Sequence, residues 1–189
     1  MRDVPPWGLS IGSASPPNAA TSSCPQDSPD AMGIRQGTPQ DREVIVRIAR
    51  ASFDRVYAFF AVRASRGAWP LLIAEEGGVA VGFLEGRLFE GAPPIGYVYF
   101  VAVDSAHRRQ SLGRLLVEEA LRAFAAKHAT RVFAAVPEGN EASMGLFTAL
   151  GFREAPEGAM WRWYGWRGIL TMMRMVIAPH EILFVRTSD

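Results

Sequence analysis

Twenty consecutive residues carry the most chemistry in this chain. An apolar run, Tyr97-Val98-Tyr99-Phe100-Val101-Ala102-Val103, passes through Asp104-Ser105-Ala106-His107-Arg108-Arg109-Gln110 into Ser111-Leu112-Gly113-Arg114-Leu115-Leu116. The pattern predicts a buried strand, a short polar turn and a helix start. The first N–H groups of a helix have no partner within it and bind anions, and small residues such as Ser111 and Gly113 let phosphate oxygens approach that backbone. Arg108, Arg109 and Arg114 add charge-assisted donors, so a pyrophosphate is the natural guest. A solvated surface turn before an ordinary helix is the competing reading, because glycine-containing helix starts are common. Other chemistries leave no trace. His107, His128 and His180 show no metal-ligand spacing with one another or with Cys24, the sole cysteine, and no metal site is expected. Neither a G-x-S-x-G elbow nor an intact Walker A loop occurs.

The elements that must position this unit are legible by period. Thr38-Pro39-Gln40-Asp41 resembles a helix start, and Val44, Ile45, Ile48, Phe53, Val56, Tyr57 and Phe60 recur at helical spacing, predicting two helices with a break near Ala51–Asp54. Leu71–Glu75 and Val79–Phe89 read as a hairpin around Glu76-Gly77-Gly78, followed by a third strand over Ile95–Val103. A helix over Ser111–Lys127, a strand over Arg131–Val136 and a helix over Glu141–Leu150 ending at Gly151 come next. Two last strands are expected near Met160–Tyr164 and Ile169–Ile177. On the first of them Trp161 and Trp163 would share one face and Arg162 and Tyr164 the other, as packing residues or as a wall of a substrate groove. The resulting order, β-αα-β-β-β-α-β-α-β-β, is an α/β (α+β) mixed sheet with helices on its faces.

Composition bounds the rest. The 189 residues are 49% apolar and 21% charged, with a formal net charge of +1. That suffices for one good core and argues against a dedicated nucleic-acid binder. Lys127 is the only lysine among 20 basic residues. Residues 1–31 hold six prolines and six serines without periodicity, so a disordered extension is expected there, with one domain over 32–189 and Met32 as an alternative start. No window has the length of a membrane span, no signal peptide is evident, and a cytoplasmic location is expected.

The turn and a second motif together resemble the GNAT superfamily of acetyl-CoA-dependent N-acetyltransferases. The family pattern, Arg/Gln-x-x-Gly-x-Gly/Ala opening a helix, is matched by Arg108-Arg109-Gln110-Ser111-Leu112-Gly113. Its later Asn-x-x-Ala/Ser-x-x-x-Tyr-x-x-x-Gly-Phe is matched by Asn140 through Phe152, in the right order and on the expected elements. The resemblance covers Ile34 to Ile177, and residues 178–189 run past the usual end of the fold. It implies a GNAT-like, mostly antiparallel sheet of about seven strands flanked by about four helices. Two positions depart from the pattern. Ser111 stands where the first glycine is usual, and Phe147 where the family commonly has a tyrosine that protonates the leaving thiolate.

By that resemblance an amine attacks the thioester of acetyl-CoA directly. Phe100, Val101, Ala102 and Val103 would offer main-chain groups to the pantetheine arm, one N–H polarising the thioester oxygen. Arg108, Arg109, Gln110, Ser111, Leu112, Gly113 and Arg114 would hold the pyrophosphate. Asn140 would cap its helix and face the pantetheine or the departing sulfur, with Ser143 and Phe147 beside it. Tyr97, early on the cofactor strand, would orient the amine or a water, with Glu85 as the next candidate; the competing readings are an ordinary core aromatic for Tyr97 and a solvated strand carboxylate for Glu85. An α-amine, with a reference pKa of about 7.7–8.0, needs only a weak base, whereas a lysine at about 10.4 needs more. The expected partners are acetyl-CoA and an amine acceptor, small molecule or protein N-terminus, with no nucleic acid and no membrane; a homodimer is left open. A non-catalytic acyl-CoA-binding module, with Phe147 marking lost chemistry, is the alternative, and an RNA-associated protein using the 108–114 arginines a weaker one.

Overall fold

The computed structural model describes residues 32–175 and 177–187; the expectations for residues 1–31 and for Cys24 lie outside them. Seven strands form one sheet in the order β1-β2-β3-β4-β5-β7-β6. They are β1 (Met32–Gln36), β2 (Leu71–Glu76), β3 (Val79–Phe89), β4 (Ile95–Val103), β5 (Arg131–Pro137), β6 (Arg153–Glu154) and β7 (Glu181–Thr187). Only the β4–β5 pair is parallel. Among the described residues, five α-helices cover the sheet: α1 (Arg42–Ser52), α2 (Arg55–Ala64), α3 (Leu112–Ala126), α4 (Glu141–Ala149) and α5 (Ala159–Met175). The mixed, mostly antiparallel architecture is the expected one, with one helix more.

Local chemistry accounts for the element ends. The Asp41 carboxylate accepts from the Thr38 N–H at 2.7 Å ahead of α1, and Asp54 starts α2 by accepting from the N–H groups of Val56 and Tyr57. Strand alternation then sorts side chains to two faces. Val98, Val132, Ala134 and Val136 meet Leu116, Ala120 and Phe124 of α3 and Phe147 of α4 on one face. On the other, Ile73, Phe83 and Ala102 meet Ile45, Ile48 and Ala61 of α1 and α2, while Tyr97, Phe133 and Val185 meet Met160 and Met175 of α5.

The C-terminal third corrects the sequence reading. Met160–Tyr164 and Ile169–Ile177 are not strands: Ala159–Met175 is helical, broken at Gly165, whose backbone leaves the helical region. Met160, Gly168, Thr171 and Met175 are its inward residues, a spacing of helical period. Trp161 and Trp163 therefore do not share a strand face. Trp163 packs on Phe133, whereas Trp161 meets Trp166 edge-on at the surface. The two last strands lie elsewhere, in β6 and β7. Glu181–Thr187, expected to run past the fold, is an interior strand between β5 and β6.

Candidate functional site

The site begins where β4 and β5 part. Their ladder runs from Ile95↔Arg131 to Val98↔Ala134 and stops, though β4 continues to Val103 and β5 to Pro137. The register between β3 and β4 shows why. Glu85 faces Phe100 and Gly86 faces Val98, leaving Tyr99 as an extra residue, a β-bulge that bends β4 away from β5. The bulge also breaks alternation, so Tyr97, Tyr99 and Phe100 all turn toward α1, α2 and α5. Their rings form a chain, 5.5 Å from Tyr97 to Tyr99 and 4.7 Å from Tyr99 to Phe100, which Phe53 extends at 5.5 Å.

A cleft of about 200 Å³ occupies the opening. Its walls are Val98 to Val101 of β4 and Ala135 to Pro137 of β5, and it touches both sides of the sheet. Asn140, Ser143 and Phe147 line one end, while Tyr57, Phe60 and Glu181 line the other. Asn140 caps α4, its Oδ1 accepting from the Ser143 N–H at 3.1 Å. Phe147 is buried edge-on against Phe152 at 5.1 Å and offers no proton.

The sequence marks Tyr57 only as one of the helical apolar positions and does not mark Glu181 at all. Tyr57 Oη donates to Glu181 Oε1 at 2.9 Å, and the Ala178 N–H donates to Oε2 at 2.7 Å, so the carboxylate is held between α2 and the entry to β7. Burial, with Glu181 adding to it, pushes the Tyr57 hydroxyl up to about 12. Burial likewise raises Tyr97, with Glu181, Tyr99 and Tyr57 contributing. No local signal marks Glu181, because its place depends on β7 joining the sheet beside β5.

The predicted catalytic pair separates. Tyr97 lines the cleft. Glu85, fully buried, does not, and neither of its oxygens has a hydrogen-bond partner. Desolvation, only partly opposed by Arg87, raises its pKa from 4.5 to about 9. Of the strand residues, Phe100 and Val101 line the cleft, while the Val103 carbonyl accepts from Arg108 Nε at 3.3 Å, at the start of the turn.

The turn itself is tied to α1, since Arg47 donates to Asp104 at 2.7 Å and to the Ala80 carbonyl at 2.9 Å. Arg109 and Ser111 take left-handed backbone conformations, φ 66° and 62°. That geometry favours glycine, which explains the family's usual residue at position 111. The first bond closing α3 runs from the Leu115 N–H to the Ser111 carbonyl, and the N–H groups of Leu112, Gly113 and Arg114 meet no acceptor among the described residues. Arg108, Arg109 and Gln110 are exposed, whereas Arg114 pairs with Glu118 one turn on, at 2.8 Å. No group of three His, Cys, Asp or Glu side chains placed to hold a metal ion occurs among the described residues, and no helix there is long and apolar enough to cross a membrane.

Known proteins resemble this chain in sequence and in fold. The chain is 31% identical over 140 residues to a mycothiol acetyltransferase of Amycolatopsis mediterranei, covering 65% of this chain and 46% of that protein. It is 40% identical over 83 residues to the N-alpha-acetyltransferase 40 of Saccharomyces cerevisiae, covering 40% of this chain and 29% of that one. The chain thus spans less than half the length of these curated relatives. Among solved structures, Ard1 from Thermoplasma volcanium superposes with a TM-score of 0.63 at 21% identity, covering 84% of this chain and 99% of that one. The PaiA N-acetyltransferase of Thermoplasma acidophilum, in complex with coenzyme A, has the same fold, with a TM-score of 0.62 at 13% identity and coverage of 84% and 99%. A family model described as the acetyltransferase (GNAT) family matches residues 41–152, more than half of the sequence. The chain belongs to the GNAT acetyltransferase family.

Proposed function

We propose that this protein transfers an acetyl group from acetyl-CoA to a primary amine of a small molecule or a protein N-terminus, by direct attack in a ternary complex. The observation that carries this reading is the cleft through the β4–β5 opening, which gives a donor and an acceptor separate approaches to one point. Acetyl-CoA, the donor the family implies, fits the residues on the α3–α4 side. The unpartnered N–H groups of Leu112, Gly113 and Arg114 and the exposed Arg108 and Arg109 suit its pyrophosphate. Gln110 and Ser111 shape that turn. The edge of β4 beyond Val98, unpaired on the β5 side, suits an extended pantetheine amide, with Asn140, Ser143 and Phe147 opposite.

The bound donor supplies a thioester carbonyl. The neutral amine, its ammonium proton given up to solvent, forms a C–N bond with that carbon, the C–S bond breaks, and coenzyme A leaves as thiolate, which is protonated as the nitrogen sheds its second proton. A β4 N–H at the bulge polarises the carbonyl oxygen. Glu181, steadied by Tyr57 and Ala178, holds the acceptor's ammonium group, and Tyr97 orients the amine that attacks after losing its proton. With a reference thiol pKa of about 8.5 the thiolate is a tolerable leaving group, so Phe147 is compatible with turnover, with water or the Ser143 hydroxyl on that wall carrying the proton.

Release of free thiol on mixing with acetyl-CoA and a panel of amines tests the reading; tight binding of coenzyme A with no release across the panel would leave a binding module instead. A Cβ at Gly113 would lie at an ordinary 3.7 Å from Leu146, so a side chain there is compatible with the fold. Gly113→Glu is therefore expected to keep its melting transition and lose coenzyme A binding in calorimetry. Glu181→Gln is expected to bind acetyl-CoA normally while kcat/KM for the amine falls about 100-fold.

A further inference from the structure

The acceptor end of the cleft has a chemical character of its own. Phe53, Val56, Tyr57 and Phe60 stand on one side, Ile177 and Ala178 on the other, and the ring chain Tyr97–Tyr99–Phe100 forms the floor. Among the described residues that line the cleft, Glu181 is the only Asp, Glu, Lys, Arg or His. The apolar surface continues outward: Val56 is 63% exposed, Phe59 63% and Phe60 40%, along one flank of α2 at the mouth.

From this arrangement we infer that the acceptor is a monoamine on an uncharged, apolar body, aromatic or branched, with no anionic group near the nitrogen. The inference rests on the acetyl-transfer reading above and narrows its acceptor. A single carboxylate complements one ammonium group, and aromatic faces around it attract the same cation. An acceptor carboxylate beside the amine would meet Glu181 and ring faces, which is a penalty and not merely a missing contact; Arg87, whose guanidinium lies 5.8 Å from the centre of the Tyr99 ring, is not among the lining residues. A polyamine would leave its further charges against apolar walls. An aminosugar would bury hydroxyls where few protein partners face them. One ligand chemistry therefore fits, and it has two sources: a free arylalkyl or alkyl amine, or a peptide whose first side chain is large and apolar.

Matched acceptors separate these effects. With acetyl-CoA saturating, kcat/KM is measured for phenethylamine, phenylalanine, spermidine and glucosamine, and for heptapeptides differing only in a first residue of Phe or Asp. Phenethylamine is expected to exceed phenylalanine by roughly 100-fold, and spermidine and glucosamine by at least about tenfold. The Phe-first peptide should exceed its Asp-first counterpart, and the better of it and phenethylamine identifies the source. In Val56→Arg, at an exposed rim position, the phenylalanine-to-phenethylamine ratio is expected to rise about tenfold with acetyl-CoA affinity unchanged. Equal or better turnover of phenylalanine, spermidine or glucosamine overturns the inference while leaving acetyl transfer intact. Calorimetry showing no acetyl-CoA binding would defeat the underlying reading instead.

Discussion

Glu85 shows how a single buried acid makes stability depend on pH. It lies at 0% exposure, with both oxygens unpartnered, opposite Phe100 at the bulge of β4. Its pKa is about 9 when folded against 4.5 ordinarily, so between those values the folded chain keeps a proton that the unfolded chain gives up. Stability contributed by this residue is accordingly complete below about pH 4.5 and is lost as pH rises toward 9. The limiting slope for one such group is about 1.4 kcal/mol per pH unit. Glu85→Gln keeps the shape and removes the titration, so the variant is expected to gain stability over the parent at pH 8 and much less at pH 5. Urea melts at the two pH values check this, and a gain that does not change with pH would assign Glu85 a different environment. Ser111 makes a related point. Its left-handed backbone strains a non-glycine residue in the turn proposed to hold the pyrophosphate.

At the scale of elements, the parts that sequence reveals are those that carry a local signal. The helix over Leu112–Ala126 has a clear apolar period, the β2–β3 hairpin is marked by Gly77-Gly78, β4 by its run of aromatic and β-branched residues, and the helix over Glu141–Ala149 by Gly151 just past its end. The donor half of the candidate site is legible for the same reason, being local: one turn and one helix cap. The helix over Ala159–Met175 carries a misleading signal. Its outer face carries Trp161, Trp166, Leu170, Met172 and Met173, all exposed, so the aromatic runs imitate a strand while the inward spacing of Met160, Gly168, Thr171 and Met175 is helical. Gly168 is the clue with a mechanism. The Met160 carbonyl lies against it so closely that a Cβ would not fit, a contact between the two arms of a broken helix. Of the acceptor half, Tyr97 is legible on its strand, and the Tyr57–Glu181 pair is not, for a different reason. Tyr57 and Glu181 stand 124 positions apart, joined by a sheet pairing that no local pattern encodes.

For the molecule as a whole, the boundary of the folding unit matters most. The family match ends at residue 152, and helix α5 alone could be mistaken for an appendage. The sheet says otherwise. β7 pairs with β5 from Arg131↔Thr187 to Pro137↔Glu181, and β6 has no other neighbour. Phe184 fills the core under α3 and α4, while Val185 fills the one under α5. Removing such side chains costs about 2–5 kcal/mol each, against a total stability of about 5–15 kcal/mol for a typical domain. Deleting residues 178–189 would strip both, expose an edge of β5 and take Glu181 from Tyr57. The shortened chain, with every residue of the family match and of the proposed pyrophosphate turn still present, is expected to lose its cooperative thermal transition and the proposed binding of coenzyme A together. A melt by circular dichroism and a calorimetric titration test this. A cooperative transition within about 5 °C of the full chain would show that the sheet closes at β5, and that the acceptor half of the cleft is an addition to a core complete without it.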